Sequence, residues 1–143
     1  MPASHATPRH RQIVVETTMR LASLPEEQPV TACLQFATRD PYAVSVVFAT
    51  AGNSPVVWVF ARDLLIDGVK CPTGVGDVHV FPIGDSVVID LCSPDGSARL
   101  IAEAPAMTKF VDDMLALVPA GTETRYVDIE SELAAICKES FAD

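Results

Sequence analysis

Residues 87–118 read VVIDLCSPDGSARLIAEAPAMTKFVDDMLALV, and their hydrophobic pattern changes period halfway along. Before the change, Val87, Ile89 and Leu91 alternate as in a β-strand, and the segment 93–96 (SPDG) has the composition of a tight turn. The stretch therefore predicts an antiparallel hairpin of strands Val87–Leu91 and Ala98–Ala102.

The second half of this stretch predicts a helix that faces a core. Pro105 suits a first helical position. Apolar residues then recur at i, i+3, i+4 and i+7, which is the spacing of one helix face. This stripe consists of Met107, Phe110, Val111, Met114, Leu115 and Val118.

Five further strands are predicted upstream, because short apolar alternations are separated by turn residues rich in Gly and Pro. They are Ile13–Leu21, Val30–Phe36, Val44–Phe48, Val56–Phe60 and Val78–Phe81. The fourth reads VVWVF and is apolar on both faces, so it is predicted to be a central strand or one covered on both sides.

Three other segments complete the chain. Residues 61–66 are predicted to form one helical turn, and residues 71–77 are predicted to form a loop that contains Pro72, Gly74 and Gly76. Asp128 can cap a second C-terminal helix whose apolar stripe is Ile129, Leu133, Ile136 and Cys137. The fold class is therefore predicted as α+β, with antiparallel sheet(s) of about seven strands and two C-terminal helices.

Length and composition indicate one globular domain. The chain has 143 residues, of which 49% are hydrophobic, which is typical of a folded domain. Residues 1–12 carry two prolines and no apolar run, so they are predicted to be a disordered tail before a single domain at 13–143. No apolar run reaches the roughly 20 residues of a membrane-spanning helix, and no signal peptide is recognisable. We therefore expect a cytoplasmic protein without a membrane span.

The net charge argues against a nucleic-acid-binding site, and the cysteine spacing argues against a zinc or redox site. The formal net charge is −9, whereas a nucleic-acid-binding protein normally has a basic face. The cysteines are Cys33, Cys71, Cys92 and Cys137, and no two have the spacing of a zinc or redox motif. We expect them to be buried, reduced thiols, and we expect no metal and no cofactor.

The titratable residues do not form a recognisable catalytic set. His5 and His10 lie in the predicted tail, and His79 alternates with two valines on a strand, so it is expected to face solvent. The sequence has no nucleophile elbow, and the Gly74-Val-Gly76 segment precedes a strand where a dinucleotide-binding loop would precede a helix. The chain is therefore predicted not to be an enzyme.

Aromatic residues on the predicted strands allow two interpretations. Phe36, Phe48, Trp58 and Phe60 suit a hydrophobic core, and the alternative is a base-stacking platform for single-stranded nucleic acid. No Lys or Arg is interleaved with them, which favours the core. The next pair, Arg62-Asp63, either caps and turns the chain or presents a recognition surface.

Several segments together resemble the SsgA-like (SsgB-type) sporulation and cell-division proteins of actinomycetes. The most specific is Trp58–Leu65 (WVFARDLL), which is followed by Pro72-Thr-Gly74 and Gly76-Asp-Val78. The resemblance covers roughly residues 14–138. The remaining matching segments, which occur in the family's order, are Asp40–Val44, Ser93–Gly96, Glu103–Pro105 and Val118–Glu123.

This resemblance implies a role in division and a particular fold. SsgB-type members position the tubulin-like protein FtsZ at future septa with help from SsgA, and other members are linked to peptidoglycan remodelling in spore formation. The family's fold is similar to that of the Whirly single-stranded nucleic-acid-binding proteins, and SsgB-type members assemble as a trimer. The implied protein is non-enzymatic, cytoplasmic at division septa, and in contact with FtsZ directly or through another SsgA-like protein.

The matching motifs also suggest where a partner binds. The candidate protein-interaction residues are Arg62, Asp63, Asp67, Thr73 and Asp77, in the segment after the fourth strand and in the loop that follows. Two alternatives stay open: a single-stranded nucleic-acid-binding protein, which the net charge disfavours, and a paralogue that controls peptidoglycan remodelling.

Overall fold

The computed structural model describes residues 9–22, 26–49, 52 and 54–127. The helix predicted to begin at Asp128 and the cysteine at position 137 lie outside these residues. Within them the chain forms one eight-stranded antiparallel sheet and two α-helices. The strands are β1 (Gln12–Ala22), β2 (Gln28–Ala37), β3 (Ala43–Phe48), β4 (Val56–Ala61), β5 (Thr73–Val75), β6 (Val78–Ile83), β7 (Ser86–Ser93) and β8 (Gly96–Glu103).

The order of strands across the sheet is β4-β3-β2-β1-β8-β7-β6-β5. Each half is a meander of neighbours in sequence, and the halves join where β1 pairs with β8. That joint involves only Arg20, Leu21 and Ala22 of β1, although β1 pairs with β2 over nearly its whole length. The sheet can therefore bend at this joint, so that the first half, β1 to β4, points in a different direction from the second half.

Helix α1 (Arg62–Gly68) follows β4 directly, and helix α2 (Ala104–Leu117) follows β8 directly. A 3-10 helix at Glu123–Tyr126 comes last. Helix α1 contacts β3 and β4 at one end of the sheet and β5 and β6 at the other. Since one short helix reaches both ends, the sheet must curl into a half-barrel with α1 on its concave side.

The concave side holds one continuous hydrophobic core. Strands β2 and β3 contribute every second residue to it, as the pleat of a strand requires. Helix α2 adds the predicted stripe, of which Met107, Phe110, Val111 and Met114 are buried. The stripe and the β7–β8 hairpin, with its turn at Ser93–Gly96, are both confirmed. Gly96 has φ = +144°, a value that a side chain would disfavour.

The prediction of seven strands was one short, because the segment 71–77 contains the extra strand β5. This strand has three residues and includes Gly74, whose position opposite His79 leaves no room for a side chain. A strand this short, with a glycine at its centre, has no alternating pattern to detect. Strand β1 also begins at Gln12, the last residue of the segment predicted to be a tail.

The prediction for the fourth strand was wrong in a more informative way. Strand β4 is at the edge of the sheet, next to β3 only. Its inner residue Phe60 is buried, whereas Val57 and Val59 on the other face are 57% and 59% exposed. The apolar pattern predicts burial of both faces, but the described chain covers only one of them.

Candidate protein-interaction surface

Among the described residues, strand β4 is paired on one side only, so its outer edge carries unpaired backbone groups. The amide of Arg62 donates to the carbonyl of Tyr42 across the β3–β4 ladder at 2.8 Å. In an antiparallel ladder the hydrogen-bonded residues alternate, so Phe60 and Trp58, like the amide of Arg62, direct their backbone hydrogen-bonding groups towards β3. Val57 and Val59 then direct theirs away from the sheet. Such an edge is a template for another strand.

The outer face beside this edge carries almost no charge. The strand registers place Val57 in a row with Val47, Cys33 and Glu16, and Val59 in a row with Ser45, Gln35 and Val14. Glu16 is the one charged residue in these two rows, and it lies on β1, farthest from the edge. We call the open edge of β4 together with Val57, Val59 and Val47 the β4 surface.

Charged residues or a proline normally protect an edge strand from pairing with another chain. Residues 56–61 contain neither. An uncharged apolar face that adjoins an unprotected edge is characteristic of a protein–protein contact site. The sequence indicates this surface, since the strand is apolar on both faces, but it does not show that the described residues leave one face uncovered.

Arg62, one of the five predicted interaction residues, lies inside the protein and not on its surface. Its side chain is 1% exposed. Nη1 donates to the carbonyl oxygen of Val118 at 2.8 Å, and Nη2 donates to Oε2 of Glu123 at 3.1 Å. The guanidinium carbon lies 5.6 Å from the ring centre of Phe36, within range of a cation–π contact. The residue therefore fastens the segment after α2 to the start of α1.

Glu123 is the charged partner in this contact. Its own backbone N–H is the main cause that lowers the pKa of the carboxyl group; desolvation opposes this, and the hydrogen bond from Arg62 adds to the lowering. Nε of Arg62 is buried without a hydrogen-bond partner among the described residues. The Arg62-Asp63 pair was predicted either to cap and turn the chain or to present a recognition surface. The side chain of Arg62 makes no cap hydrogen bond and is buried, and it instead connects α1 to the segment after α2.

The other four candidate residues lie at or near the surface, but not in one cluster. Asp63 and Asp67 are exposed on α1 and, four residues apart, share one side of the helix. Thr73 is half-buried at the start of β5, which contacts α1, and its hydroxyl donates to the carbonyl of Cys71. Asp77 is exposed in the turn between β5 and β6. The first three lie around one corner of the half-barrel, and Asp77 lies at the tip of the neighbouring hairpin.

The aromatic residues of the strands belong mainly to the core. Phe36, Phe48 and Phe60 are buried, as predicted. Trp58 is half-buried and lines a cavity of about 480 Å³ together with residues of β7 and β8, among them Leu91 and Ala98. A stacking platform would need exposed rings, and these do not provide one.

Two predictions about single side chains had different outcomes. His79 is exposed on β6, as expected. The prediction of buried thiols was wrong for Cys71 and Cys92, which are exposed, and Cys33 is half-buried on the outer face of β2. The reason is that Cys33 and Cys92 occupy outward positions of their strands, and Cys71 precedes β5 in a surface turn.

The described part of the chain has neither a candidate metal site nor a candidate membrane-spanning helix. No three His, Cys, Asp or Glu residues within it are grouped so that they could hold a metal ion. None of its helices has the length and apolar character needed to cross a membrane.

Comparison with known proteins identifies the family. Residues 30–123 match the family model described as Streptomyces sporulation and cell division protein, SsgA. The sporulation-specific cell division protein SsgB of Streptomyces coelicolor is 45% identical over 135 residues, which cover 92% of this chain and 93% of that protein.

Two solved structures are similar as well. The SsgA-like sporulation-specific cell division protein from Thermobifida fusca superposes with a TM-score of 0.81 and 36% identity, covering 91% of this chain and 98% of that one. A structure from work on SsgB mutations and longitudinal cell division in Streptomyces coelicolor gives a TM-score of 0.77 with 42% identity, covering 85% and 99%. Together with the family model, these matches show that this chain belongs to the SsgA family of sporulation and cell division proteins.

Proposed function

We propose that this chain is a non-enzymatic division protein that helps to position the division machinery, including FtsZ, at septa through protein–protein contacts. Membership of a cell-division and sporulation family supports the process. The observation that carries the molecular part is the β4 surface, which is built for contact with another chain. FtsZ is bound directly or through another SsgA-like protein.

The β4 surface is proposed as the contact between protomers of a homo-oligomer, a trimer by family resemblance. The described chain leaves Val57 and Val59 exposed and their backbone groups unpaired. Burial of these side chains by a neighbouring protomer adds apolar stabilisation, and edge pairing adds hydrogen bonds. The residues Asp63, Asp67, Thr73 and Asp77 then remain available for a different partner, which is the division machinery.

Substituting lysine for Val57 and Val59 together is expected to separate the protomers. Each lysine would bring an unpaired charge into the contact, and burying an unpaired charge costs several kcal/mol. The side chains point outward, so the fold itself should be unaffected. Sedimentation velocity at about 10 μM should give an oligomer for the unsubstituted chain and a monomer for V57K/V59K. The V57K/V59K monomer should melt at a temperature similar to that of the unsubstituted chain diluted until it dissociates.

The control is Ile83→Lys, since Ile83 is a similarly exposed apolar residue, 56% exposed, on strand β6 away from this edge. This variant should remain oligomeric. If V57K/V59K kept the oligomer intact, or if I83K dissociated it to the same degree, the β4 surface would not be the protomer contact.

A further inference from the structure

Among the described residues, a second surface is positively charged, although the chain as a whole is acidic. Arg11 and Arg39 are exposed and line a shallow concavity of about 290 Å³ together with His10, Gln12 and Ala37. Arg9 is exposed two residues before Arg11. We call Arg9, Arg11 and Arg39 the arginine patch.

The arginines of this patch are not used for internal ion pairs. Arg20, Arg62, Arg99 and Lys109 each pair with a carboxylate. Within the described part of the chain, no ion pair involves Arg9, Arg11 or Arg39. Among the described residues, exposed Asp40 directly follows Arg39 in the sequence, and three arginines beside this carboxylate give the patch an excess of positive charge in a protein of net charge −9.

A buried hydroxyl group fixes the position of the patch. Thr38 is fully buried, and its Oγ1 accepts a hydrogen bond from the amide of Arg11 at 2.8 Å. The same oxygen lies 3.1 Å from Nδ1 of His10, and the amide of Thr38 donates to the carbonyl of Arg11 at 2.9 Å. The segment that carries Arg11 is thus held beside the β2–β3 turn that carries Arg39.

We propose that the arginine patch binds the carboxylates of an acidic segment of a protein partner. Guanidinium groups bind carboxylates in a planar, two-point geometry, and the concavity is open to solvent. A short acidic peptide can be held by the patch alone. The inference rests on the proposed function, because it states the chemistry of one of the partners.

A nucleic acid fits the surroundings less well. Its phosphates repeat along the strand, so a bound strand would extend from the patch over a surface whose charge is negative overall. Binders of single strands also stack successive bases on several aromatic side chains. Near the patch the described chain exposes one aromatic side chain, that of Tyr42, at 49%.

The test is fluorescence anisotropy of a labelled polyglutamate peptide of about ten residues with the full-length chain at low salt. Arg11→Glu and Arg39→Glu should each weaken binding by more than about tenfold, since attraction becomes repulsion. The matched control Lys70→Glu makes the same change of charge at an exposed position on another part of the surface and should weaken binding by less than about threefold. Raising the salt concentration should weaken binding of the unsubstituted chain.

A Thr38→Val variant tests whether the patch is a positioned site. It keeps every charge and removes the hydroxyl that holds Arg11, so binding should weaken by about threefold or more while the chain still melts cooperatively. An unchanged affinity would show that the overall charge of this region attracts the peptide and that the fixed position of Arg11 does not matter.

Other outcomes would overturn the proposal. The patch does not recognise acidic segments if the peptide fails to bind or if K70E weakens binding as much as R11E. It is a phosphate site if oligothymidylate, inorganic phosphate or anionic vesicles bind it more tightly than the peptide. If a full-length E130Q/E132Q variant binds the peptide more than about tenfold tighter, the chain's own acidic C-terminal segment is the occupant. None of these readouts tests the β4 surface, so failure here leaves the proposed protomer contact untouched.

Discussion

Replacing Arg62 by leucine is expected to lower the free energy of unfolding by about 2–3 kcal/mol, because a buried charge-assisted hydrogen bond and a part-buried ion pair are both lost. The carbonyl of Val118 would lose its 2.8 Å hydrogen bond, and Glu123, whose side chain is 13% exposed, would lose its cation. The segment after α2 would then no longer be fastened to α1. Urea unfolding followed by far-UV circular dichroism measures the change.

The matched control for this prediction is Arg99→Leu. Arg99 makes a two-point contact with Asp90, but its side chain is 52% exposed, and exposed pairs contribute about 1 kcal/mol or less. If the two variants lost the same stability, the Arg62 contact would be no more important than a surface pair.

The pH dependence of the same contact has a definite sign. The folded-state pKa of Glu123 is lowered, first by its own backbone N–H and, after opposition from desolvation, by Arg62. A lowered folded-state pKa gives stability that is present above the ordinary glutamate pKa and is lost as the pH falls through the folded-state value. The loss of stability in acid should therefore be smaller in R62L, because the Arg62 contribution is gone.

Replacing Phe110 by alanine is expected to cost about 3–5 kcal/mol, as is typical for a buried phenylalanine. The ring is 1% exposed, in the middle of the α2 stripe that packs against the sheet. Alanine favours a helix, so the loss would come from the cavity and not from the helix itself. The same urea unfolding experiment measures the change, with the slope unaltered if the fold is retained.

Lys109→Ala is the neighbouring control. Its side chain is 77% exposed and pairs with Asp113 four residues along the helix, a contact that contributes about 0.3–0.5 kcal/mol. If F110A lowered the free energy of unfolding by less than about 1 kcal/mol, helix α2 would not be packed tightly against the core.

The two halves of the chain differ in how much of the fold the sequence predicts. From residue 78 to residue 118 each element is local: a turn of the right composition joins two alternating strands, and the helix stripe follows. The contacts of Arg62 with Val118 and Glu123 span more than fifty residues. No local pattern encodes such a contact, which is why Arg62 was predicted at the surface.

The β4 surface illustrates a different limit. The residues 56–60 correctly indicate that both faces of a strand favour burial, but a sequence pattern does not say which molecule provides the cover. The sheet order places β4 at an edge, so the second cover is expected from another chain. Likewise, the position of Thr38 beside Arg11 depends on the β1–β2 register, and the arginine patch was not predicted.

Imaging of a fluorescent fusion of this chain beside FtsZ in the native host cell tests the central claim most directly, namely recruitment of the division machinery through protein contacts. We expect the unsubstituted chain to mark septum positions before FtsZ or together with it. Location of the unsubstituted chain over the nucleoid or along the lateral wall would contradict this recruitment.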